Sequence, residues 1–331
     1  QGEKMSERLI ALSRFFGNYR PASFSVRKLF IAGLILVLFA TCRTSEEAAP
    51  DACYRLTPGW QKDLKIDDVS VDLFVPAATG QSCMRLLLVL PGWKFPRQDW
   101  IRKSPLESIA QKEQMILVLP EMHTTIYETS YYPETVMKWN AVPGGAFIRD
   151  RLIPGMQRRF GLFKKGHGNY LLGLSTGGRG VVMLHLQNPG LFTAGAALSG
   201  DFDQTLQPDD NLMRNVYGPY ERFRDRWQGE DNPVSVIDRS PERWTMPLYL
   251  SHGQADRVVP IAHSEWLHKM IIKKKGKDFP VVYKAVPGAG HDYRFWGGEL
   301  SAVFAFFKDP TTKNNSTSTR EPAGDNQPAS N

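Results

Sequence analysis

The feature that most constrains the fold is the stretch GNYLLGLSTGGRGVVMLHLQNPG, residues 168–190. Its first part, NYLLGL, is a continuous apolar run, which is typical of a strand buried on both faces of a sheet. A helical pattern starts at Thr176 and ends at an NPG sequence, a strong stop signal. The chain is therefore predicted to turn from strand to helix at Ser175, which lies between Gly173 and Gly177.

The rest of the chain alternates between apolar strand-like runs and helical patterns. Strands are predicted in VSVDLFV, MRLLLVLPGW, MILVLP, NYLLGL, FTAGAALSG, MPLYLSHG and FPVVYKAV, and helices at 99–114, 144–160, 176–187, 260–275 and 297–309. Pro154 interrupts the second helix, where we expect a kink. Repeated strand–helix units with buried strands predict an α/β fold, with a doubly wound, mostly parallel sheet and helices on both faces.

Ser175 has the sequence surroundings of a catalytic nucleophile. It is the central residue of a G-x-S-x-G motif at a predicted strand-to-helix junction, the context in which this motif carries a nucleophile. The turn is so sharp that side chains at positions 173 and 177 would collide, and glycine avoids this. The amide of Thr176, at the helix start, is predicted to bind an oxyanion. A merely structural glycine turn is the alternative.

A serine nucleophile needs a base, usually a histidine that a carboxylate orients. On this topology the chain order is serine, then Asp or Glu, then histidine. His291, in VPGAGHDYRFW, follows the last predicted strand and is the predicted base. Asp256, in SHGQADRVVP, follows the preceding strand and is the predicted acid, with Asp201 and Asp203 as the alternatives.

The positions of four other histidines in the predicted strands and helices indicate structural roles for them. His252, at a strand end, is interpreted as shaping the turn, and His185 as packing within the helix after Ser175. His263 and His268 are placed on a surface helix. Asp292 adjoins the predicted base in sequence and is interpreted as a structural or substrate-side residue.

The second oxyanion donor is expected in the loop after the strand LLLVLP. Gly92 permits a turn that points the amide of Trp93 inward, and Lys94 is the reserve candidate. The sequence has no H-E-x-x-H motif, no paired C-x-x-C motif and no phosphate-binding glycine pattern. No metal and no cofactor are therefore predicted.

The net charge of +7 does not indicate a nucleic-acid partner. Residues 1–41 contain six basic and two acidic residues, so only +3 belongs to the rest of the chain, where the charges are scattered.

Residues 1–42 are predicted to be an export segment. Arg27 and Lys28 precede an uncharged apolar run at 29–40, shorter than the roughly 17–25 residues of a spanning helix. Cys42 follows, at the position where a bacterial lipoprotein carries its lipid. Three alternatives stay open: a lipid on Cys42, a cleaved soluble form, and an uncleaved membrane anchor. We expect an exported protein, periplasmic or at the cell surface.

The remaining boundaries follow from composition. Residues 43–52 are predicted to be a polar linker, 53–308 the catalytic domain, and 309–331 a disordered tail with almost no apolar residues. Cys53 and Cys83 form an even pair that could close a disulfide in an oxidising compartment. Two unrelated buried thiols are the alternative.

Taken together, the blocks FIRDRLIPGMQRRFGL, GLSTGGRGVVMLHLQNPGLFTAGAALSGDFD, PLYLSHGQADRVVP and VPGAGHDYRFW resemble one esterase group of the α/β-hydrolases. That group includes S-formylglutathione hydrolase (esterase D), feruloyl and acetylxylan esterases, and the mycolyltransferases. The resemblance covers about residues 80–308 and implies an α/β-hydrolase fold, a Ser-Asp-His triad and acyl transfer to water. The chain departs from the group at the oxyanion loop, where LPGW replaces a His-Gly-Gly type start.

The predicted function is that of a serine carboxylic-ester hydrolase acting on a small-molecule or carbohydrate ester. The alternatives are an acyltransferase to a sugar or lipid acceptor, and a non-catalytic carbohydrate-binding surface lipoprotein. Two irregular segments, 124–142 and 201–244, are expected beside the site. Their aromatic residues either contact a sugar or aromatic acyl group or fill a small core: Tyr127, Tyr131, Tyr132, Trp139, Tyr217 and Trp227.

Overall fold

The computed structural model describes residues 54, 56–77 and 84–311. Several predictions lie outside the described residues: the export segment with Cys42, the linker, the pairing of Cys53 with Cys83, and the tail beyond residue 311. Within the described ranges, no helix has both the length and the hydrophobicity that crossing a membrane requires.

In the described residues, eight strands form one mixed sheet in the order β1-β2-β4-β3-β5-β6-β7-β8. They are β1 Gly59–Ile66, β2 Val69–Val75, β3 Arg85–Leu90, β4 Met115–Pro120, β5 Asn169–Leu174, β6 Ala194–Leu198, β7 Leu248–Gly253 and β8 Val281–Val286. Strands β3 to β8 are parallel, whereas β2 pairs antiparallel with both β1 and β4. The predicted mostly parallel sheet is confirmed.

Ten α-helices connect the strands or follow them in the described part of the chain. They are α1 Asp99–Arg102, α2 Leu106–Lys112, α3 Gly144–Phe147, α4 Ile153–Phe160, α5 Thr176–Gln187, α6 Asn211–Tyr217, α7 Arg224–Trp227, α8 Pro233–Arg239, α9 Ala262–Lys275 and α10 Tyr293–Lys308. The helix predicted at 99–114 is two helices, because Pro105 disfavours a helical conformation at the residue before it. Where a kink was predicted at Pro154, a π-helical turn, Ile148–Leu152, joins α3 to α4.

The hydrophobic core has two layers, one on each face of the sheet. In β3, Leu86, Leu88 and Leu90 face the layer that contains α4, α5, α8 and α9. Leu87 and Val89 face the opposite layer, which contains α1, α2 and α10. Since successive side chains of a strand point to opposite faces, an uninterrupted apolar strand requires helices on both sides. The prediction of two helical layers is confirmed.

Strand β1 was not predicted from the sequence GWQKDLKI. It is an edge strand with several exposed polar side chains, and its register with β2 shifts between Gln61 and Leu64. Asp63, inside this irregularity, has a φ of 53°. The irregularity breaks the alternation by which half-buried strands are detected.

The two irregular segments, 124–142 and 201–244, contact each other and are called the cap here. Their shared core contains Ile126, Met213, Val216, Tyr217 and Trp227. Tyr217 and Trp227, like Tyr127, are completely buried. Of the two roles considered for the cap aromatics, filling a core is therefore the one that the structure favours for these three.

Candidate active site

The loops after three parallel strands bring distant parts of the chain to one edge of the sheet. Ser175 follows β5, Asp256 follows β7 and His291 follows β8. Strands β5 to β8 are sequential neighbours in a parallel array, so their carboxyl ends lie at the same edge. The order of the strands thus places a hydroxyl, a carboxylate and an imidazole on one side of the molecule.

The three side chains form a continuous hydrogen-bonded chain. The Nε2 atom of His291 lies 3.0 Å from the Oγ atom of Ser175, and its Nδ1 atom lies 2.7 Å from Oδ2 of Asp256. With the ring neutral, Nδ1–H donates to the carboxylate and Nε2 accepts from the hydroxyl. The ring also packs edge-on against Trp296, at a centroid distance of 4.9 Å, which fixes its orientation.

The turn at Ser175 has the strained geometry that the glycines predicted. Ser175 has φ 54° and ψ −127°, a backbone conformation that residues other than glycine rarely adopt. A Cβ atom on Gly173 would overlap the carbonyl group of Gly177. A Cβ atom on Gly177 would overlap the carbonyl oxygens of Leu90 and Pro91. Both glycines are therefore required where the start of α5 passes close to β3 and β5.

Asp256 is held as a carboxylate by four groups. Its Oδ1 atom accepts hydrogen bonds of 2.9 Å from the amides of Val258 and Val259. Its Oδ2 atom faces His291 and lies 3.4 Å from Nε2 of His252. Burial alone raises the pKa of the carboxyl, but the hydrogen bonds from the two histidines and the Val259 amide outweigh burial and hold this pKa well below its usual range.

His252 is a contact of the site that the sequence analysis missed. It is completely buried, with Nδ1 2.7 Å from Oγ of Ser264 and Nε2 2.9 Å from the Val259 carbonyl oxygen. It therefore contacts the loop that holds Asp256 as well as the carboxylate itself. A histidine four residues before the predicted acid, at the end of the same strand, was the available signal.

Trp93 and Thr176, the two predicted oxyanion donors, line one cavity together with Ser175. Within the described residues, the amide of Trp93 donates to no backbone carbonyl. The amide of Thr176 belongs to the first turn of α5, where amides lack a partner inside the helix. The reserve candidate Lys94 is wrong, because its amide donates to the His123 carbonyl oxygen at 2.7 Å.

This cavity has a volume of about 170 Å³ and is lined by both apolar and polar residues. Its lining residues are Trp93, Ser175, Thr176, Asp201, Gln204, Gln207, Asp210, Leu212, Met213, Val258, Val259 and His263. No lysine or arginine is among them. In the described part of the chain, no group of three or more His, Cys, Asp or Glu side chains is arranged to hold a metal ion.

His263 was wrongly placed on the surface. It lies on the inner side of α9, is almost completely buried, and its Nδ1 atom faces the amides of Phe202 and Asp203 at 3.3 and 3.4 Å. Burial lowers its pKa to about 4. His185, placed in the core, is completely buried, and its Nε2 atom accepts a 3.1 Å hydrogen bond from the Thr245 amide.

The alternative acids do not reach His291 by a hydrogen bond. Asp203 caps a short 3-10 helix, accepting from the amide of Thr205 at 3.0 Å. Asp201 lines the cavity but makes no hydrogen bond with the imidazole. Asp292, interpreted as structural or substrate-side, accepts from the amide of Phe295 at 3.0 Å and caps α10.

Arg179 connects α5, the helix that follows Ser175, to the cap. It is completely buried, and its guanidinium donates to Oε1 of Gln204 at 3.1 Å and to Oη of Tyr217 at 3.2 Å. It also donates to the backbone carbonyl oxygens of Asp201 and Asp231. Four residues of one cap segment therefore accept hydrogen bonds from Arg179, which lies four residues after Ser175.

Comparison with known proteins gives the family and the fold. The model of the Esterase family, described as "Putative esterase", matches residues 68–307. No curated protein matches the sequence.

Three solved structures illustrate the similarity of the fold. An S-formylglutathione hydrolase from Agrobacterium tumefaciens is 14% identical with a TM-score of 0.63, over 79% of this chain and 99% of that chain. A fluorophosphonate-binding serine hydrolase of Staphylococcus aureus is 16% identical with a TM-score of 0.59, over 76% and 99%. A ferulic acid esterase is 15% identical with a TM-score of 0.57, over 78% and 100%.

These identities are low, so the structural likeness establishes the shared α/β-hydrolase fold. The family match, which covers most of the chain, establishes the class of enzyme. The chain belongs to the Esterase family and is a serine esterase with the α/β-hydrolase fold.

Proposed function

We propose that the protein hydrolyses carboxylic esters through a Ser175–His291–Asp256 triad and an acyl-enzyme intermediate. The observation that carries this proposal is the hydrogen-bonded chain from Ser175 through His291 to Asp256, with distances of 3.0 and 2.7 Å. A chain of this kind lets the imidazole take the hydroxyl proton while the carboxylate stabilises the resulting cation.

In the first half-reaction, Oγ of Ser175 attacks the ester carbonyl carbon, and Nε2 of His291 accepts its proton. The tetrahedral intermediate then collapses, the bond to the leaving alcohol breaks, and His291 returns the proton to that alcohol. In the second half-reaction, a water attacks the acyl-enzyme, with His291 again acting as base. The acid is released and the Ser175 hydroxyl is restored.

The oxyanion is bound in this proposal by the amides of Thr176 and Trp93. Both residues line the cavity beside Ser175, and neither amide is used by a backbone carbonyl in the described part. A single donor of this kind contributes roughly 3–4 kcal/mol to stabilising the transition state. Because these are backbone groups, the contribution persists when either side chain is changed.

The proposal is tested with a fluorophosphonate probe and a chromogenic ester. We expect the parent protein to be labelled covalently and Ser175→Ala to be unlabelled, with kcat/KM lower by at least about 10⁴-fold. Ser108→Ala, which changes an exposed serine on α2, is the matched control and keeps both activities. A parent protein that is folded but takes up no probe and cleaves no ester contradicts the proposal.

A further inference from the structure

Asp201 lines the cavity, and its carboxylate makes no hydrogen bond with another residue in the described part of the chain. The residue is 8% exposed and lines the same cavity as Ser175 and Thr176. Neither of its carboxylate oxygens accepts a hydrogen bond from another residue of the described chain. A buried polar group without a partner is costly, so its presence beside a nucleophile requires an explanation.

The nearest cation does not satisfy this carboxylate. Nη1 of Arg179 lies 3.6 Å from Oδ2 of Asp201, which is too far for a good hydrogen bond. The Arg179 nitrogens instead donate to Gln204, to Tyr217 and to two backbone carbonyl oxygens. Burial, which Arg179 offsets only partly, raises the pKa of Asp201 to about 6. The carboxyl is therefore poorly solvated in the folded protein.

The surroundings indicate what kind of group would satisfy it. Oγ of Thr176, also on the cavity wall, is a second buried polar atom without a hydrogen bond. The lining also includes apolar side chains, among them those of Trp93, Leu212 and Val258. Two acidic residues, Asp201 and Asp210, line the cavity, and its lining includes no lysine or arginine. An anionic group is therefore disfavoured, and a neutral group with one hydroxyl-bearing edge is complementary.

We propose that Asp201 determines specificity by accepting a hydrogen bond from a hydroxyl group of the ester, so that the substrates are hydroxylated esters. This inference rests on the function proposed above. Both carboxylate oxygens are buried and accept no hydrogen bond from another described residue, so the side chain has to rotate to present an oxygen to a bound hydroxyl. A plain hydrocarbon group in the same place would leave the carboxylate desolvated and unpaired, which selects against it.

The test compares matched ester pairs that differ only in hydroxyl groups. Glyceryl 1-monobutanoate against propyl butanoate places hydroxyls on the alcohol side. The 4-nitrophenyl ester of 3-hydroxybutanoate against that of butanoate places one on the acyl side. We expect the parent to prefer the hydroxylated member of at least one pair by about tenfold or more in kcat/KM. Asp201→Leu is expected to remove this preference while plain esters are still cleaved.

Two further variants make the result decisive. Asp201→Asn keeps the shape of the side chain and removes its charge, and we expect it to weaken the preference for the hydroxylated ester. It serves as the test if Asp201→Leu does not fold. Asp209→Ala changes a nearby carboxylate that is almost fully exposed and outside the cavity lining, and it should leave the preference unchanged. Equal preferences in the parent and the Asp201 variants, with fluorophosphonate labelling intact, overturn this inference alone. Absence of both labelling and ester cleavage in the parent overturns the proposed function and this inference with it.

Discussion

At the scale of single residues, Asp256 is the best-supported member of the proposed triad. Two amides bind one of its oxygens, and two histidines approach the other. Its side chain is completely buried, so water does not compete for these contacts. The carboxylate is thus fixed in place and stays ionised over a wide range of pH, which is what orienting an imidazole requires.

Replacing Asp256 by asparagine tests its proposed role in orienting His291. We expect kcat/KM to fall by about 10³-fold or more, because an amide can hold the imidazole in the wrong tautomer. The measurement is ester hydrolysis at a slightly alkaline pH, with fluorophosphonate labelling as a second readout. Asp209→Ala serves as the control, since it removes an exposed carboxylate. Unchanged kinetics would exclude Asp256 as the acid.

The same variant has a predicted effect on stability in acid. The pKa of Asp256 is lowered in the folded protein, so its contribution is complete above the unfolded pKa and is lost as pH falls below that value. Between about pH 6 and about pH 3, the parent should lose about 1 kcal/mol more unfolding free energy than Asp256→Asn. Urea unfolding at both pH values measures this difference.

The residues of the proposed triad could be predicted because chain order and loop position determine them. His252 and His263 could not be assigned in the same way. Their contacts depend on which side of an element faces the site, and a lone histidine carries little information about that. That the carboxylate of Asp201 accepts no hydrogen bond from another described residue could not be predicted either, because it depends on the cap groups that bind Arg179.

At the scale of elements, the start of α5 is held against the end of β3. We expect Gly177→Ala to lower the unfolding free energy by at least about 2 kcal/mol, because its Cβ overlaps the carbonyl oxygens of Leu90 and Pro91. Gly298→Ala, within α10, is the control: its Cβ meets no atom within 4 Å, and we expect a gain of about 0.5–1 kcal/mol. Chemical denaturation of both variants measures the contrast, and equal effects would contradict it.

Elements were predictable to the extent that their pattern was regular. The five buried parallel strands, β3 to β7, and the helix after Ser175 have long apolar runs or clear stop signals. Strand β1 was missed because of its polar edge and its irregular register. The helices of the cap, such as α7 with four residues, are too short to show a period. Their positions are set by tertiary contacts.

At the scale of the whole molecule, four buried groups respond to pH in opposite directions. Burial lowers the pKa of His185 and of His263 to about 4, and these residues destabilise the fold as pH falls below the unfolded value. Burial raises the pKa of Asp201 and of Asp231 to about 6, and these residues favour the fold as pH falls. The two contributions oppose each other between about pH 6 and about pH 4.

Removing one histidine should disturb this compensation. His185→Gln keeps an acceptor for the Thr245 amide but cannot be protonated. Between about pH 7.5 and about pH 5, the parent should lose about 2 kcal/mol more unfolding free energy than His185→Gln. Urea unfolding at the two pH values gives this difference. A constant offset between the proteins would show that His185 does not stay neutral in the fold.

The position of Arg179 has a consequence for how this enzyme can be recombined with its relatives. Its cation lies on α5, the helix that follows Ser175, but its four acceptors in the described chain all belong to the cap. A chimera that joined this α5 to the cap of another protein would leave the buried guanidinium without its hydrogen-bond acceptors. An engineered exchange of caps between relatives therefore has to transfer the cap together with residue 179.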